Sequence, residues 1–216
     1  MGPPEELIAK LKAAINAHCF IETGTYMGAT ARWASENFEK VITIENAPAI
    51  FQSTSKRYSA IGNIEFIFGH TTEKLKEIVP ALDAPAIFWL DAHWSGGETY
   101  GSRDECPVLA EIGIINASAH PHCILIDDAR LFTAPPPPPH DSESWPDISG
   151  LLAAINAIAG RYTVIFDDVV ISVPEAAKEI VREYCIKSGN SGAPSETIKD
   201  GIRAIMDGLR AYFNRK

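Results

Sequence analysis

The sequence lacks the features of a membrane protein, a disulfide-bonded scaffold and a nucleic-acid-binding protein. Among its 216 residues, no apolar run approaches the roughly 18 residues of a membrane span. The four cysteines are far apart and form no CxxC pair, which argues against a zinc knuckle and a disulfide framework. The net charge is −9 and no stripe is rich in lysine and arginine, so the chain would repel a phosphate backbone.

The first residues, MGPPEELIAK, include two acids and two prolines where a secretory signal needs a basic region followed by an apolar one. We therefore expect a cytoplasmic protein with no membrane or nucleic-acid partner. The length suits one large domain or one domain with an extension, and 46% hydrophobic residues can form a sizeable core.

Short apolar segments alternate with helix-like segments through the first part of the chain. Predicted strands occupy residues 19–23, 41–45, 63–70, 86–93 and 123–129, and predicted helices occupy residues 28–38, 48–61, 71–79 and 107–119. This alternation predicts a doubly wound α/β fold, in which a mostly parallel sheet carries helices on both faces.

The pattern changes after the fifth predicted strand. Residues 131–147 include five consecutive prolines, which favour an extended conformation and predict neither helix nor central strand. We interpret this segment as a wall or lid over a site, with a surface linker as the alternative. A helix over residues 148–160 follows, and the two β runs of RYTVIFDDVVISVP (161–174) predict an antiparallel hairpin.

The chain is predicted to end in a helical extension, residues 175–216, attached to a domain that spans residues 1–174. The extension is expected to form two helices split by KSGNSGAPS (187–195). The apolar residues of IRAIMDGLRAYF (202–213) recur at helical intervals and need a surface to cover. Either the helices of the domain or a second copy of the chain would provide that surface, so a homodimer is one expectation.

Polar residues and glycines gather at the carboxyl ends of the predicted parallel strands. In chain order these are ETGTYMG (22–28), Glu45, GHTT (69–72), DAHWSGG (91–97) and DDAR (127–130). Ligands of open α/β sheets bind at this edge. We therefore predict the functional site there, because a purely structural sheet would not need these residues.

The first two strand ends indicate a cofactor that contains a ribose. Gly24 and Gly28 permit a sharp turn and a close approach of ligand to backbone, although a strand-to-helix turn alone also explains Gly24. The segment is not GxGxxG, which weakens a dinucleotide interpretation. Glu45 follows Gly24 by 21 residues, and an acid at that place can accept both hydroxyl protons of a ribose.

About residues 15–174 resemble the class I S-adenosylmethionine-dependent methyltransferases. The resemblance rests on the ExGxxxG segment at 22–28, the acid that ends the second strand, and the terminal hairpin, which looks like strands six and seven of that family. It implies a seven-stranded Rossmann-like methyltransferase fold with S-adenosyl-L-methionine as cofactor. The cofactor-binding residues that it implies are Glu22, Gly24, Thr25, Tyr26, Gly28, Glu45, Asn46, Gly69, His70, Thr71 and Asp91.

Within that family the chain resembles metal-dependent O-methyltransferases of the catechol and macrocin types. These carry an Asp after strand four and an Asp–Asp or Asp–Asn pair after strand five, which here are Asp91, Asp127 and Asp128. Three carboxylates on neighbouring strand ends form a hard oxygen site suited to Mg²⁺ or Mn²⁺. The cation would also relieve the repulsion between Asp127 and Asp128.

The mechanism that this implies is direct methyl transfer to a metal-bound hydroxyl of a small substrate. Asp91 and His93 are the candidate catalytic residues, and His93 is the candidate base because histidine titrates near neutral pH. A supporting hydrogen bond or a plain loop position is the alternative for His93. Catechol-type enzymes have a lysine where this chain has Trp94, which argues against a lysine base and catechol substrates. The glycine-rich loop 94–106 is predicted to be a mobile lid that closes over the substrate, with an ordinary surface loop as the alternative.

Three other functions stay open on the sequence alone. In a metal-independent small-molecule methyltransferase, the three aspartates would only hold the cofactor and substrate. An NAD-dependent oxidoreductase is disfavoured by the missing third glycine and by the hairpin. A nonenzymatic nucleoside-binding module would not need the chemical residues at the ends of strands four and five.

Overall fold

A computed structural model of the protein describes residues 2–93 and 105–191. Its strands, numbered β1 to β7, are Cys19–Thr23, Lys40–Glu45, Ile64–Phe68, Ala86–Leu90, Cys123–Ile126, Arg161–Phe166 and Val169–Pro174. Its α-helices, numbered α1 to α8, are Glu5–Ile15, Ala29–Asn37, Pro48–Arg57, Thr71–Ile78, Val108–Asn116, Arg130–Thr133, Ile148–Ile155 and Lys178–Ser191. Short 3₁₀ turns lie at Val79–Ala81, Ser142–Ser144 and Glu175–Ala177. None of the helices in these described ranges is both long and apolar enough to cross a membrane.

The seven strands form one sheet in the order β3-β2-β1-β4-β5-β7-β6. β1 to β5 pair in parallel, whereas β7 pairs antiparallel with both β5 and β6. Asp167 and Asp168 form the hairpin turn, and both have the left-handed backbone that two-residue hairpin turns require. The predicted fold, a mostly parallel sheet with a C-terminal antiparallel hairpin, is confirmed.

Helices cover both faces of the sheet, because successive side chains of a strand point to opposite sides. Every residue of β4 is buried. On one face, Phe88 of β4 lies in a core cluster with Leu75 of α4 and Ile112 of α5. On the other face, Phe20 of β1 packs edge-on against Trp33 of α2. Burial on both faces explains why the central strands are continuous apolar runs.

The prediction that residues 131–147 contain no helix is wrong at two places. α6 includes residues 131–133, and a 3₁₀ turn forms at Ser142–Ser144. α6 ends at Thr133, and the next residue, Ala134, has the extended backbone that is favoured before a proline. Asp141 stabilises the 3₁₀ turn because its side chain accepts a hydrogen bond from the backbone N–H of Glu143.

The helices at the two ends of the described chain also differ from the prediction. α1 was not predicted, although its buried Leu7 and Leu11 have helical spacing. α8 continues to Ser191, inside the predicted break at 187–195, because one glycine within a helix costs only about 1 kcal/mol. The second predicted helix falls in residues 192–216, outside the described residues.

The chain divides into two compact units, Met1–Ile180 and Val181–Lys216, and the whole sheet lies in the first. The predicted boundary after residue 174 stays a prediction.

The residues that follow the central strands are held side by side at one edge of the sheet. Backbone hydrogen bonds continue past the strand ends. The N–H groups of Gly24, Asp91 and Asp127 donate to the carbonyl oxygens of Ile44, Thr23 and Leu90, at 3.0, 3.0 and 3.1 Å. The parallel register therefore brings three predicted site segments together.

Candidate functional site

A cavity opens at this edge of the sheet. The described residues that line it are Gly24, Tyr26, Ile44, Glu45, Asn46, His70, Thr71, Asp91, Ala92, His93 and Pro107. Most of these are predicted cofactor-binding residues, and His93 is the predicted base. Ile44, Ala92 and Pro107 were missed, although each adjoins a strand end or begins a helix, which was the available signal.

Four predicted cofactor-binding residues lie outside the lining of this cavity, each for a local reason. Glu22 and Thr25 are buried and bonded through the hydroxyl of Thr43. Gly28 precedes α2 and lies close to α3. The N–H of Gly69 donates to the carbonyl oxygen of Glu45 at 3.0 Å. These four residues shape the backbone around the cavity.

Gly24 is the position where the turn after β1 requires glycine. Its φ is +87°, and a Cβ there would lie 2.4 Å from the carbonyl oxygen of Asp91. No side chain fits at that distance, so the turn after β1 can pass directly over the end of β4. This close passage leaves backbone, without side-chain cover, on the cavity side of Gly24.

Glu45 is buried and has two backbone hydrogen bonds. Its Oε2 accepts from the N–H of Tyr26 at 3.0 Å, and its Oε1 accepts from the N–H of Ala47 at 2.8 Å. A carboxylate oxygen can accept two hydrogen bonds, so each oxygen retains capacity for a ligand hydroxyl. The carboxylate therefore fixes the turn at Tyr26 and faces the cavity in one orientation.

His70 and Thr71 lie at the start of α4, on the cavity wall. The Nδ1 of His70 is 2.8 Å from the hydroxyl of Thr72. This hydrogen bond orients the imidazole of His70, which is the residue that precedes α4.

Glu22 is an acid held in its neutral form beneath the cavity. It is 2% exposed, and the hydroxyl of Thr43 donates to its Oε2 at 2.6 Å. Burial raises the pKa of Glu22 to about 8, although the Thr43 hydrogen bond opposes the shift and the negative charge of Asp91 adds to it. Its carboxyl group therefore supports the turn after β1 without adding a charge at neutral pH.

Replacing Glu22 by glutamine should stabilise the protein at alkaline pH. Because the folded state raises this pKa from 4.5 to about 8, its stabilising contribution is complete below pH 4.5 and is lost as pH rises towards 8. Glutamine keeps the hydrogen-bonding shape and cannot ionise. Urea unfolding of both proteins should show the wild-type free energy of unfolding falling relative to Glu22→Gln by up to about 1.4 kcal/mol per pH unit between pH 5 and 8. Parallel pH curves would contradict the burial argument, and Glu65→Gln on exposed β3 is the matched control.

The opposite side of the site contains a chain of charged groups. The Nε2 of His93 lies 2.7 Å from Oδ2 of Asp128 and 3.6 Å from Oδ1 of Asp91. The guanidinium of Arg130 lies 2.5 Å from Oδ1 of Asp128 and also pairs with Asp168 of the hairpin turn. The carboxylate of Asp168 also accepts a hydrogen bond from the backbone N–H of Arg130 at 2.8 Å.

These contacts separate the pKa values of neighbouring aspartates. Burial would raise the pKa of Asp128, but hydrogen bonds and charge from His93 and Arg130 outweigh it and lower the pKa to about 2. Burial raises the pKa of Asp91 to about 7, opposed by His93 and increased by the other two aspartates. Burial also raises the pKa of Asp127. Asp128 is therefore the permanent anion of the group.

The hydrogen bond to Asp128 also raises the pKa of His93. Burial alone would lower its pKa, but the bond to Asp128 and the charge of Asp91 raise it above the ordinary value. The side chain of His93 is only 6% exposed. The imidazole of His93 is therefore oriented by Asp128, and the Asp128 carboxylate stabilises its charged form.

The oxygens of Asp91, Asp127 and Asp128 do not form a metal-binding set in this arrangement. Both oxygens of Asp128 are engaged by His93 and Arg130, and Oδ1 of Asp127 accepts the backbone N–H of Asp128 at 2.8 Å. In the described residues, no group of three or more His, Cys, Asp or Glu side chains is placed to hold a metal ion. His93 and Arg130 are the side chains that contact Asp128 of the Asp–Asp pair, and the Mg²⁺ or Mn²⁺ site stays a prediction.

The predicted lid falls largely outside the described residues, which omit 94–104. Its last two residues, Glu105 and Cys106, are described and buried. They lie beside Pro107, which lines the cavity.

No family model and no curated protein matches this sequence. Solved structures do resemble it. The O-methyltransferase TomG from Streptomyces achromogenes, in complex with SAM, is 16% identical, with a TM-score of 0.55 over 81% of each chain. The SAH-bound methyltransferase PaMTH1 from Podospora anserina is 15% identical, with a TM-score of 0.54 over 81% of this chain and 80% of its own. Cofactor-bound Rv0187 from MTB is 14% identical, with a TM-score of 0.53 over 81% of each chain. These likenesses show that the chain has the Rossmann-like methyltransferase fold.

Proposed function

We propose that this protein is an S-adenosylmethionine-dependent methyltransferase that methylates a hydroxyl group of a small molecule. One observation carries the proposal: a single cavity joins the turn at Gly24 and the carboxylate of Glu45 to the imidazole of His93. The first pair suits a nucleoside cofactor, and the third residue suits removal of a proton. The fold shared with TomG, an O-methyltransferase by its name, supports the same assignment.

The cofactor would lie across the ends of β1 and β2. Its methionine part would pass over the exposed backbone at Gly24, and Glu45 would accept the ribose hydroxyls. Asn46, His70 and Thr71 form the part of the cavity wall where the adenine of the cofactor would lie. When bound, S-adenosylmethionine supplies an electrophilic methyl group on a sulfonium.

His93 would remove the proton from the attacking hydroxyl. With Nε2–H donated to Asp128, the Nδ1 of the neutral imidazole keeps the lone pair that accepts the proton. The imidazolium that forms is stabilised by the Asp128 carboxylate, which Arg130 holds in place from its other oxygen. Asp91, at the end of β4, contributes to the cavity wall and to the charge around His93. Positioning the hydroxyl in line with the methyl group would be the other main contribution of the protein.

Metal assistance is the alternative form of this proposal. It is favoured by the raised pKa values of Asp91 and Asp127, which burial causes first and neighbouring aspartates increase, because a bound cation would stabilise the ionised carboxylates. A metal would have to share the Asp128 oxygens with His93 and Arg130, whereas methyl transfer without a metal uses these contacts as they stand. We therefore propose the metal-independent form.

Chelation separates the two forms. Purified protein would be treated exhaustively with EDTA and assayed for transfer of a labelled methyl group from S-adenosylmethionine to a panel of small phenols, glycosides and hydroxy acids. We expect turnover with the accepted substrate to stay within about twofold of the untreated protein, because His93 and Asp128 need no ion. The metal-assisted form would be supported if EDTA abolished turnover, Mg²⁺ restored it, and the Asp127→Asn variant could not be restored. That result would show that the carboxylates bind a metal.

The remaining parts of the proposal concern the setting of the enzyme. We propose that it acts in the cytoplasm, without nucleic-acid or membrane partners, on a free small molecule. A homodimer is proposed as its assembly. Size-exclusion chromatography with light scattering would test the assembly directly.

A further inference from the structure

The second half of the proline-rich segment is fastened to a buried glutamate. Trp145 is 7% exposed and Glu105 is 8% exposed. The indole N–H of Trp145 donates to Oε2 of Glu105 at 2.9 Å, and the backbone N–H of Asp141 donates to the same oxygen at 3.1 Å. His140 is also within ion-pair distance, with its Nδ1 3.6 Å from that oxygen. One carboxylate oxygen of Glu105 therefore accepts hydrogen bonds from both ends of the segment 141–145.

The ring of Trp145 packs directly against His93. The centroid of the imidazole lies 5.4 Å from a ring centroid of the indole, with 59° between the planes. Phe132 of α6 and His140 contact the same indole at 5.7 and 5.2 Å. Trp145 is thus the common member of an aromatic cluster that has His93 at its cavity side.

This packing supplies a restraint on His93 that its hydrogen bond does not. The hydrogen bond from Nε2 to Asp128 fixes one end of the imidazole, and Cβ fixes the other. The ring can still rotate about the line between these two points. An indole fixed by Phe132 and by Glu105 blocks this motion from the side. A proton acceptor must stay within hydrogen-bond reach of the substrate hydroxyl, and small displacements of catalytic groups lower rates strongly.

We propose that Trp145, latched by Glu105, is a positioning residue that holds the His93 imidazole in its proton-accepting orientation. The inference rests on the proposed methyl transfer with His93 as base, and it assigns a purpose to the proline-rich segment. That segment places Trp145 against His93, so it supports the site through the base and does not line the cavity.

The test compares Trp145→Ala, Trp145→Phe and Glu105→Ala with wild type. Trp145→Ala should lower kcat about 10- to 100-fold while the Kd for S-adenosylmethionine changes less than about twofold. Trp145→Phe keeps a ring against His93 but loses the N–H that binds Glu105, and Glu105→Ala keeps the indole but removes its acceptor. Both variants should therefore have a kcat between those of wild type and Trp145→Ala. Trp33→Ala, a tryptophan truncation in α2 away from the cavity, is the matched control and should leave kcat unchanged.

A spectroscopic readout keeps the test decisive if Trp145→Ala does not fold. The imidazole proton resonances of His93, assigned by their disappearance in His93→Gln, should shift in Trp145→Phe because a phenyl ring replaces the indole beside them. Unmoved resonances, or a folded Trp145→Ala with wild-type kcat, would overturn the inference. Absence of methyl transfer or cofactor binding in wild type would instead overturn the proposed function, so the two failures are distinguishable.

Discussion

Replacing His93 by glutamine should lower kcat for methyl transfer by about 10²- to 10⁴-fold, the usual contribution of a general base. Glutamine preserves the approximate size of the side chain and can still donate a hydrogen bond to Asp128. It cannot accept and hold the substrate proton at neutral pH. The Kd for S-adenosylmethionine should stay within about threefold of wild type, because the cofactor contacts proposed above involve Glu45 and the turn at Gly24.

Asp128→Asn provides the companion measurement for this prediction. It removes the charge that stabilises the imidazolium and one of the two acceptor oxygens while keeping the side-chain size, so kcat should also fall, with little change in cofactor affinity. Asp167→Asn, in the hairpin turn beside Asp168, is a matched control for the substitution itself. Full turnover in His93→Gln would exclude His93 as the base and leave it as a structural member of the charged group.

Replacing Glu45 by alanine should weaken binding of S-adenosylmethionine by about 10²- to 10⁴-fold. The reason is the loss of two charge-assisted hydrogen bonds to the ribose, each worth about 1.5–3 kcal/mol. The structure adds a second reason, since the turn at Tyr26 and the backbone of Ala47 both depend on this carboxylate. Titration calorimetry with the purified variant measures the change.

Glu65→Ala on β3 is the matched control, because it removes an exposed glutamate from the neighbouring strand. It should bind the cofactor as wild type does. Thermal unfolding of both variants would show whether a weakened turn has destabilised the domain. A folded Glu45→Ala variant with wild-type affinity would remove Glu45 from the cofactor site.

The fold was predictable because both the local pattern of apolar residues and the order of the elements along the chain indicate it. β4 is an apolar run with polar residues directly after it, and the hairpin residues Asp167 and Asp168 separate two β-branched segments. Local pattern and global topology agree in these elements. α6 was not predictable in this way, since it has four residues and precedes a run of prolines that dominates the local signal.

The site was predictable only in part. Convergence of the strand ends followed from parallel topology, and it correctly placed Gly24, Glu45, Asp91 and His93 around one cavity. The ion pairs of the charged groups could not be predicted, because they join side chains that are distant in sequence, such as His93 and Asp128.

The sequence contained Arg130 next to the Asp–Asp pair, but it could not show that Arg130 joins Asp128 to Asp168 across the hairpin. The burial of Glu22, which the resemblance gives as a cofactor-binding residue, likewise depends on tertiary packing that the sequence does not show.

Titration calorimetry of the wild-type protein with S-adenosylmethionine and, separately, with NAD is the most direct test of the central claim. The account predicts saturable binding of S-adenosylmethionine at one site per chain, with and without EDTA, and no binding of NAD. Glu45→Ala should abolish most of the heat, and His93→Gln should preserve it. Absence of S-adenosylmethionine binding, or NAD binding that depends on Glu45, would contradict the account.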